Sequence, residues 1–199
     1  MSGEKGAGSR TAVFAYGSLV SAESAACTLS GRRVEPRPAA LRGWRRAFSL
    51  RRDNHRSEKT FARVADGSIP DWVLGLNLEP AGDVDRVNGA LIEVGEDELA
   101  RLDLREIRYA RREVTTAVEG PVQYERVVAY VARAENHAVD PPSGAVILKS
   151  YAEAVERAFA ELGPAELGEY RRTTEIPAVE VVEASLVRDR IPEGNPRAW

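Results

Sequence analysis

The order of apolar segments along the chain limits its fold more than any other sequence feature. Runs and alternations typical of strands occupy residues 11–16, 47–50, 72–78, 87–94, 111–118, 124–133 and 179–187. Helical spacing is found at residues 21–30, 96–106 and 144–162. Because helices do not regularly separate successive strands, the pattern disfavours a doubly wound parallel sheet. It predicts an α+β domain around a compact sheet that can close on itself.

A chain of 199 residues suits one domain. We expect a disordered lead over residues 1–10, a domain over residues 11–187 and a tail over residues 188–199. Residues 51–71 are polar and predict a long surface loop, and the Pro- and Arg-rich residues 32–42 predict a connection. No apolar run approaches the ~20 residues of a membrane span, and the lead lacks the apolar core of a signal peptide. We therefore expect a cytoplasmic protein with no membrane partner.

The residues most often used in catalysis are scarce. The single cysteine, Cys27, cannot form an internal disulfide, and two separated histidines, His55 and His137, argue against a Cys/His zinc site. A formal net charge of −3 argues against a dedicated nucleic-acid binder. We expect any catalysis to rely on carboxylates, hydroxyls or backbone groups, without a metal.

One carboxylate falls on the apolar side of a predicted helix. Leu99 and Leu102 mark the apolar stripe of residues 96–106, and the spacing places Glu106 on the same side. Burial would raise the pKa of this carboxyl above its ordinary value of about 4.3, where it can accept and return a proton. The alternative is an ion pair with one of the nearby arginines, which are Arg105, Arg108, Arg111 and Arg112.

A turn between the first strand and the first helix is the second candidate feature. The sequence Tyr16-Gly17-Ser18-Leu19 can leave several backbone N–H groups pointing one way, an arrangement that favours anions and oxyanions. We expect Gly17 to adopt a φ that other residues resist. An ordinary turn is the alternative. Ser18 as a nucleophile is a third hypothesis, although no sequence pattern links it to a histidine.

These segments together resemble the γ-glutamylcyclotransferase-like superfamily. The match consists of a strand that leads into Tyr16-Gly17-Ser18-Leu19, then Leu102-Asp103-Leu104-Arg105-Glu106, then Tyr109-Ala110-Arg111-Arg112-Glu113-Val114. A looser fourth part is Tyr130 in the next strand and, after Pro142, a helix that carries Tyr151. The resemblance covers residues 13–162.

The resemblance implies a small mixed β-barrel-like sheet flanked by helices. It also implies an enzyme that needs no cofactor and converts a small-molecule γ-glutamyl peptide or amine into 5-oxoproline and the free amine. Glu106 would be the catalytic acid/base. Tyr16, Gly17, Ser18 and Leu19 would bind the substrate, and Tyr109, Tyr130 and Tyr151 would line the site or pack in the core. Ile107-Arg108 stands where the glutathione-specific branch has two glycines, so the resemblance does not assign glutathione.

An arginine-rich segment supports an alternative function. Residues 32–56 contain nine arginines and two acidic residues, a local net charge of +7. The arginines are Arg32, Arg33, Arg37, Arg42, Arg45, Arg46, Arg51, Arg52 and Arg56. This segment predicts a solvated face paired with acids elsewhere, a surface that attracts acidic substrates, or the binding face of a non-catalytic module of the same fold.

Overall fold

The computed structural model describes residues 10–29, 31–120 and 124–196. Most of the predicted lead, Pro121 of a predicted turn and the last three residues of the predicted tail lie outside the described residues. The helices in the described chain are α1 (Ala22–Thr28), α2 (Glu96–Arg105), α3 (Lys149–Leu162) and α4 (Pro164–Thr173), with 3-10 turns at Ser18–Val20, Thr115–Ala117 and Ala134–Asn136. No helix in these ranges is long and apolar enough to span a membrane.

The described strands form two mixed sheets and a ribbon. The strands are β1 (Thr11–Ala15), β2 (Arg37–Arg42), β3 (Trp44–Asp53), β4 (Lys59–Arg63), β5 (Trp72–Pro80), β6 (Arg86–Val94), β7 (Tyr109–Glu113), β8 (Val118–Glu119), β9 (Arg126–Ala132), β10 (Ala145–Leu148), β11 (Thr174–Glu175), β12 (Glu180–Val182) and β13 (Ala184–Asp189). One sheet has the order β7-β9-β1-β6-β2-β8, the other β11-β3-β5-β10-β12, and β4 pairs with β13.

The two sheets curl into half-barrels flanked by the four helices, which confirms the predicted α+β class with a barrel-like mixed sheet. Both sheets are mixed because β1 runs antiparallel to β6 and parallel to β9, while β5 runs antiparallel to β3 and parallel to β10. β1 is central in its sheet and all five of its residues are buried. A strand that is covered on both faces has apolar residues on both, which explains the continuous apolar run of the first predicted strand.

The helices cover the core through short apolar stripes. α2 buries Leu99 and Leu102, as its spacing predicts, and α3 buries Val155, Ala158 and Phe159. Phe159 stacks on Tyr170 of α4 with ring centroids 4.6 Å apart. α3 ends at Leu162 with Gly163 as its C-cap, so the predicted end of the third helix at residue 162 is confirmed. Helix α4, which follows at once, was not predicted; Pro164 occupies its first turn, where its missing N–H has no cost.

The prediction of a long surface loop over residues 51–71 is wrong. β3 continues to Asp53, and β4 pairs with β13 from the far end of the chain. The buried Asn54 organises the intervening turn, since its Nδ2 donates to the carbonyls of Phe61 (2.8 Å) and Pro70 (2.9 Å). Because Asn54 holds this turn by hydrogen bonds in place of apolar packing, the sequence there lacks the hydrophobic pattern that indicates a strand.

Three other predicted segments also differ. Residues 37–42 of the predicted connection form β2, and residues 145–148 of the predicted third helix form β10, whose four residues are all buried. The predicted last strand divides into β12 and β13, and β13 runs to Asp189, two residues into the predicted tail. A short buried apolar run has no period that distinguishes strand from helix.

Gly89 on β6 gives a stability test. A Cβ built at this position would lie 2.3 Å from the Ala15 carbonyl oxygen and 2.6 Å from Phe14 Cζ, so the backbone of β1 must move. We expect Gly89→Ala to lower the free energy of unfolding by about 3 kcal/mol. Urea denaturation measures the change.

The matched control is Gly168→Ala within α4, where an added Cβ meets nothing within 4 Å. We expect this variant to be more stable than the wild type by up to about 1 kcal/mol, because alanine favours the helix and restricts the unfolded chain. Equal effects of the two substitutions would contradict the described packing of β6 on β1.

Candidate active site

The turn after β1 presents backbone N–H groups at one end of the six-stranded sheet. β1 ends at Ala15, and the 3-10 turn Ser18–Val20 follows before Ser21 caps α1, its Oγ accepting from Ser24 N–H at 3.3 Å. Within the turn, Val20 N–H donates to the Gly17 carbonyl at 3.0 Å. Residues 17–19 of this turn border a cavity. The binding of an anion by their N–H groups stays a prediction.

Gly17 has neither an unusual φ nor a close contact that only glycine would allow. Its φ is −137°, outside the left-handed region, so the expectation of an unusual φ is wrong. A Cβ at Gly17 would lie 3.4 Å from the hydroxyl of Tyr151 and 3.6 Å from Leu76 Cδ1, which are ordinary van der Waals distances. An added Cβ would therefore pack against α3 and β5 without a clash.

Tyr16 and Tyr130 join the turn to the neighbouring strand and helix. The Tyr16 hydroxyl donates to the Tyr130 carbonyl at 2.5 Å, and the Tyr130 hydroxyl donates to Asp103 Oδ1 on α2 at 2.9 Å. Burial raises the pKa of both phenols, so both remain neutral at physiological pH.

Tyr109 and Tyr151 both contact Leu76 on β5. The Tyr109 hydroxyl donates to the Leu76 carbonyl at 2.7 Å, and the Tyr151 hydroxyl lies near the Leu76 N–H, whose dipole acts on it. Burial raises the pKa of both phenols. The two roles considered for these tyrosines, packing and lining, coexist, because each ring packs on the core while its residue borders a cavity.

Glu106 lies immediately after α2, which ends one residue before the predicted helix end. Its N–H donates to the Leu102 carbonyl at 2.8 Å, which closes the last turn, and its carbonyl accepts from Tyr109 N–H at 2.9 Å. The Glu106 side chain is 17% exposed, and its Oε1 is 3.0 Å from Arg105 Nε. Burial raises the pKa of the Glu106 carboxyl, although the charges of Arg105 and Arg108 oppose the rise. The ion pair and the perturbed carboxyl therefore occur together.

Arg105 connects Glu106 to the turn. Its side chain is 1% exposed, and its Nη2 donates to Ser18 Oγ and Ser24 Oγ, each at 3.1 Å. Its Nη1 donates to the Ser24 carbonyl at 3.1 Å and to Thr28 Oγ1 at 2.5 Å. Sequence reasoning considered Arg105 only as a neutralising partner for Glu106. Its bonds to α1 have no local sequence signal.

Two cavities meet at Glu106. The smaller, of about 40 Å³, is bordered by all eight predicted site residues, which are Tyr16, Gly17, Ser18, Leu19, Glu106, Tyr109, Tyr130 and Tyr151. The larger, of about 550 Å³, shares Ser18, Glu106, Tyr109 and Tyr151 with it and extends between β4, β5 and α3. The larger volume lies in the range of small-molecule sites.

The comparisons with known proteins agree with this geometry. The model of a family described as "Gamma-glutamyl cyclotransferase, AIG2-like" matches residues 13–151. The chain belongs to this family. No curated protein sequence matches it significantly.

Solved structures show the same fold. An uncharacterized human protein superposes with a TM-score of 0.58 at 16% identity, covering 84% of this chain and 89% of that one. A gamma-glutamyl cyclotransferase gives 0.56 at 16% identity, covering 83% and 89%. YkqA from Bacillus subtilis gives 0.56 at 19% identity, covering 82% of this chain, which spans about half (53%) of YkqA.

Among the described residues, neither histidine hydrogen bonds with the turn. His55 Nε2 lies 3.1 Å from Asp71, and His137 Nε2 lies 2.8 Å from Glu79. Ser18 Oγ accepts from Arg105, and no histidine in the described chain hydrogen bonds with it. Within the same residues, no group of three or more His, Cys, Asp or Glu is arranged to hold a metal ion.

The arginines of residues 32–56 do not form one continuous basic surface. Arg45 pairs with Glu79 at 2.6 Å, Arg32 pairs with Glu98, and Arg46 is buried. Of the nine arginines, Arg52 borders the cavity that contains Glu106. This dispersion weakens the alternative of a binding module that uses a single basic surface.

Arg46 is a residue of the site region that sequence reasoning missed. Its guanidinium lies 4.8 Å from the ring of Phe159 and 4.4 Å from that of Tyr170. Its Nη1 donates to the Tyr16 carbonyl at 3.3 Å and to the Asn88 carbonyl at 2.8 Å. Burial lowers the pKa of Arg46 to about 10, so it stays cationic at neutral pH. This cation ties α4 to the residue that opens the turn.

The raised pKa of Glu106 predicts a pH dependence of stability. The folded protein binds this proton more tightly than the unfolded chain, whose glutamate pKa is about 4.3. The contribution of Glu106 to the free energy of unfolding therefore falls as pH rises from about 4.3 through the folded pKa. Glutamine does not titrate, so we expect the stability of Glu106→Gln relative to the wild type to increase across this window.

Urea denaturation between about pH 4 and pH 8 measures the difference, and Glu153→Gln, at an exposed glutamate of α3, is the control for removing one carboxylate. A relative stability of Glu106→Gln that falls with pH would show that the ion pair with Arg105 outweighs burial.

Proposed function

We propose that this protein is a γ-glutamylcyclotransferase in which Glu106 is the general acid/base. The observation that carries the proposal is the position of Glu106, a mostly buried carboxyl with a raised pKa that borders both cavities beside the turn of residues 17–19. Membership of the family and the shared fold support the same reaction class.

The proposed reaction needs no protein nucleophile and no cofactor. The α-nitrogen of the substrate attacks its own γ-carbonyl carbon, a C–N bond forms to give 5-oxoproline, and the original amide C–N bond breaks. Two protons pass overall from the α-ammonium to the leaving nitrogen, so charge and atoms balance. The intramolecular attack has a high effective molarity once the chain is held folded.

Glu106 would carry these protons. In its ionised form it takes a proton from the α-ammonium, and in its protonated form it gives a proton to the leaving nitrogen. A carboxyl whose pKa is raised toward neutrality serves both steps better than one near 4.3. The opposing charges of Arg105 and Arg108 limit the rise and keep an ionised fraction available.

The turn would hold the negative charges of the substrate. The N–H groups of Gly17, Ser18 and Leu19 can donate to the glutamyl carboxylate or to the oxyanion that develops on the γ-carbonyl oxygen. One such donor typically lowers the barrier by about 3–4 kcal/mol. Arg105 fixes the distance between these donors and Glu106, because it hydrogen bonds with Ser18 and pairs with Glu106. The proposed partner is therefore a small γ-glutamyl compound, and no nucleic acid or membrane is part of the proposal.

We expect Glu106→Gln to lower kcat for 5-oxoproline release by at least about 100-fold, because general acid/base catalysis contributes about 10²–10⁴-fold. The assay follows 5-oxoproline released from a panel of γ-glutamyl amino acids, peptides and amines. Glu153→Gln is the control and should match the wild type.

Two results would be decisive against the proposal. Wild-type activity in Glu106→Gln would exclude Glu106 as the proton carrier. A wild-type protein that releases 5-oxoproline from no member of the panel would favour the non-catalytic module.

A further inference from the structure

One part of the larger cavity is bordered by residues that follow the family match in the sequence. Family similarity ends at residue 151, yet Arg157, Glu161 and Ile191 also border this cavity. Opposite them stands β4, which contributes Lys59 and Phe61. Arg190 N–H donates to the Glu58 carbonyl at 2.8 Å, so the C-terminal segment is fastened to the edge of the cavity. This part is therefore built partly from residues outside the family match.

Most cations that border the cavity are paired with acids. Arg108 makes two bonds to Glu58, at 2.8 Å and 2.6 Å. Lys59 Nζ lies 3.6 Å from Asp189. Arg105 pairs with Glu106. Arg157 is exposed, and its hydration makes it a weak anchor for an anion.

Arg52 differs from these cations. Its Nη1 donates to the Lys59 carbonyl at 3.1 Å, and its guanidinium lies 5.1 Å from the ring of Phe61. Within the residues that the structure describes, it forms no ion pair with a carboxylate. Burial, together with the charge of Arg108, lowers the pKa of Arg52 to about 10, and the group remains cationic at neutral pH. A largely desolvated cation of this kind is costly until an anion pairs with it.

Arg52 and Glu106 both border this cavity. The cations whose charges act on Glu106 are Arg105 and Arg108, whereas the charges that act on Arg52 are those of Arg108 and Glu58. Arg108 thus lies within electrostatic range of both groups. A substrate that places its γ-carbonyl beside Glu106 would extend its leaving amine past Arg108 toward Arg52.

We propose that Arg52 is the specificity-determining residue and binds a carboxylate on the leaving amine. The substrates would then be γ-glutamyl amino acids or peptides, in preference to γ-glutamyl amines that lack a carboxylate. This inference rests on the proposed function. A guanidinium matches a carboxylate with two parallel N–H···O bonds. The Arg52 guanidinium lies over the Phe61 ring, which restricts the orientation of its plane.

The test compares two substrates that differ in one group. γ-Glutamyl-phenylalanine carries the carboxylate, and γ-glutamyl-phenethylamine is the same molecule without it. The measured quantity is the ratio of their kcat/KM values for 5-oxoproline release. Because both are measured on the same preparation, loss of folded protein in a variant cancels in the ratio.

We expect the wild type to favour γ-glutamyl-phenylalanine and Arg52→Met to lower the ratio by about 10- to 100-fold, the usual effect of losing hydrogen bonds to a charged group. Arg52→Lys keeps the charge without the fork and should lower the ratio less. Arg56→Met is the matched control, because this nearby arginine is 91% exposed and does not border the cavity. The ratio should not change in that variant.

The outcomes separate the two proposals. An unchanged ratio in both Arg52 variants, or a wild type that favours the amine, would overturn the role of Arg52 and leave the cyclotransferase intact. Equal losses on both substrates leave the ratio unchanged and would overturn it in the same way. A wild type that converts neither these compounds nor any other γ-glutamyl substrate would overturn the proposed function itself.

Discussion

The buried guanidinium of Arg105 fixes the relation between the turn after β1 and the carboxyl at the end of α2. Burying a charge is costly unless it is paired and hydrogen bonded, and Arg105 meets this condition with Ser18, Ser24, Thr28 and Glu106. Two segments that are distant in sequence, residues 18–28 and residues 105–106, are thereby held in one geometry. A general acid/base has to stand at a set distance from its oxyanion donors. In the proposed mechanism this cation sets that distance.

The same cation has an opposite effect on Glu106. Its charge lowers the pKa of the carboxyl, whereas burial raises it, and burial prevails. A second buried cation, Arg46, acts on the other side of the turn by holding the Tyr16 carbonyl and the aromatic rings of α3 and α4. The residues after the family match therefore both support the site and border its larger cavity.

The sequence was informative where structure follows local periodicity. The strand before Tyr16 and the apolar stripe of α2 were predictable, and so was the barrel-like class, through the resemblance. Three elements were not predictable, namely β2, the β4–β13 ribbon and α4. Their partners lie far along the chain, or their own residues lack a regular apolar pattern.

The candidate site divides in the same way. The eight predicted residues border one cavity, although their chemical roles stay predictions. Arg46, Arg52 and Arg105 depend on contacts between distant elements, and no spacing rule identifies one arginine among many as the buried one. The many arginines indicated a basic segment. The tertiary structure decides which of these arginines are buried, which form ion pairs and which border a cavity.

The central claim is that Glu106 is a desolvated carboxyl able to exchange protons near neutral pH. The most direct measurement is a carbon NMR titration of its side-chain carboxyl, assigned by the signal that disappears in Glu106→Gln. The account predicts a midpoint clearly above the ordinary glutamate value of about 4.3, whereas a midpoint at or below that value would contradict it.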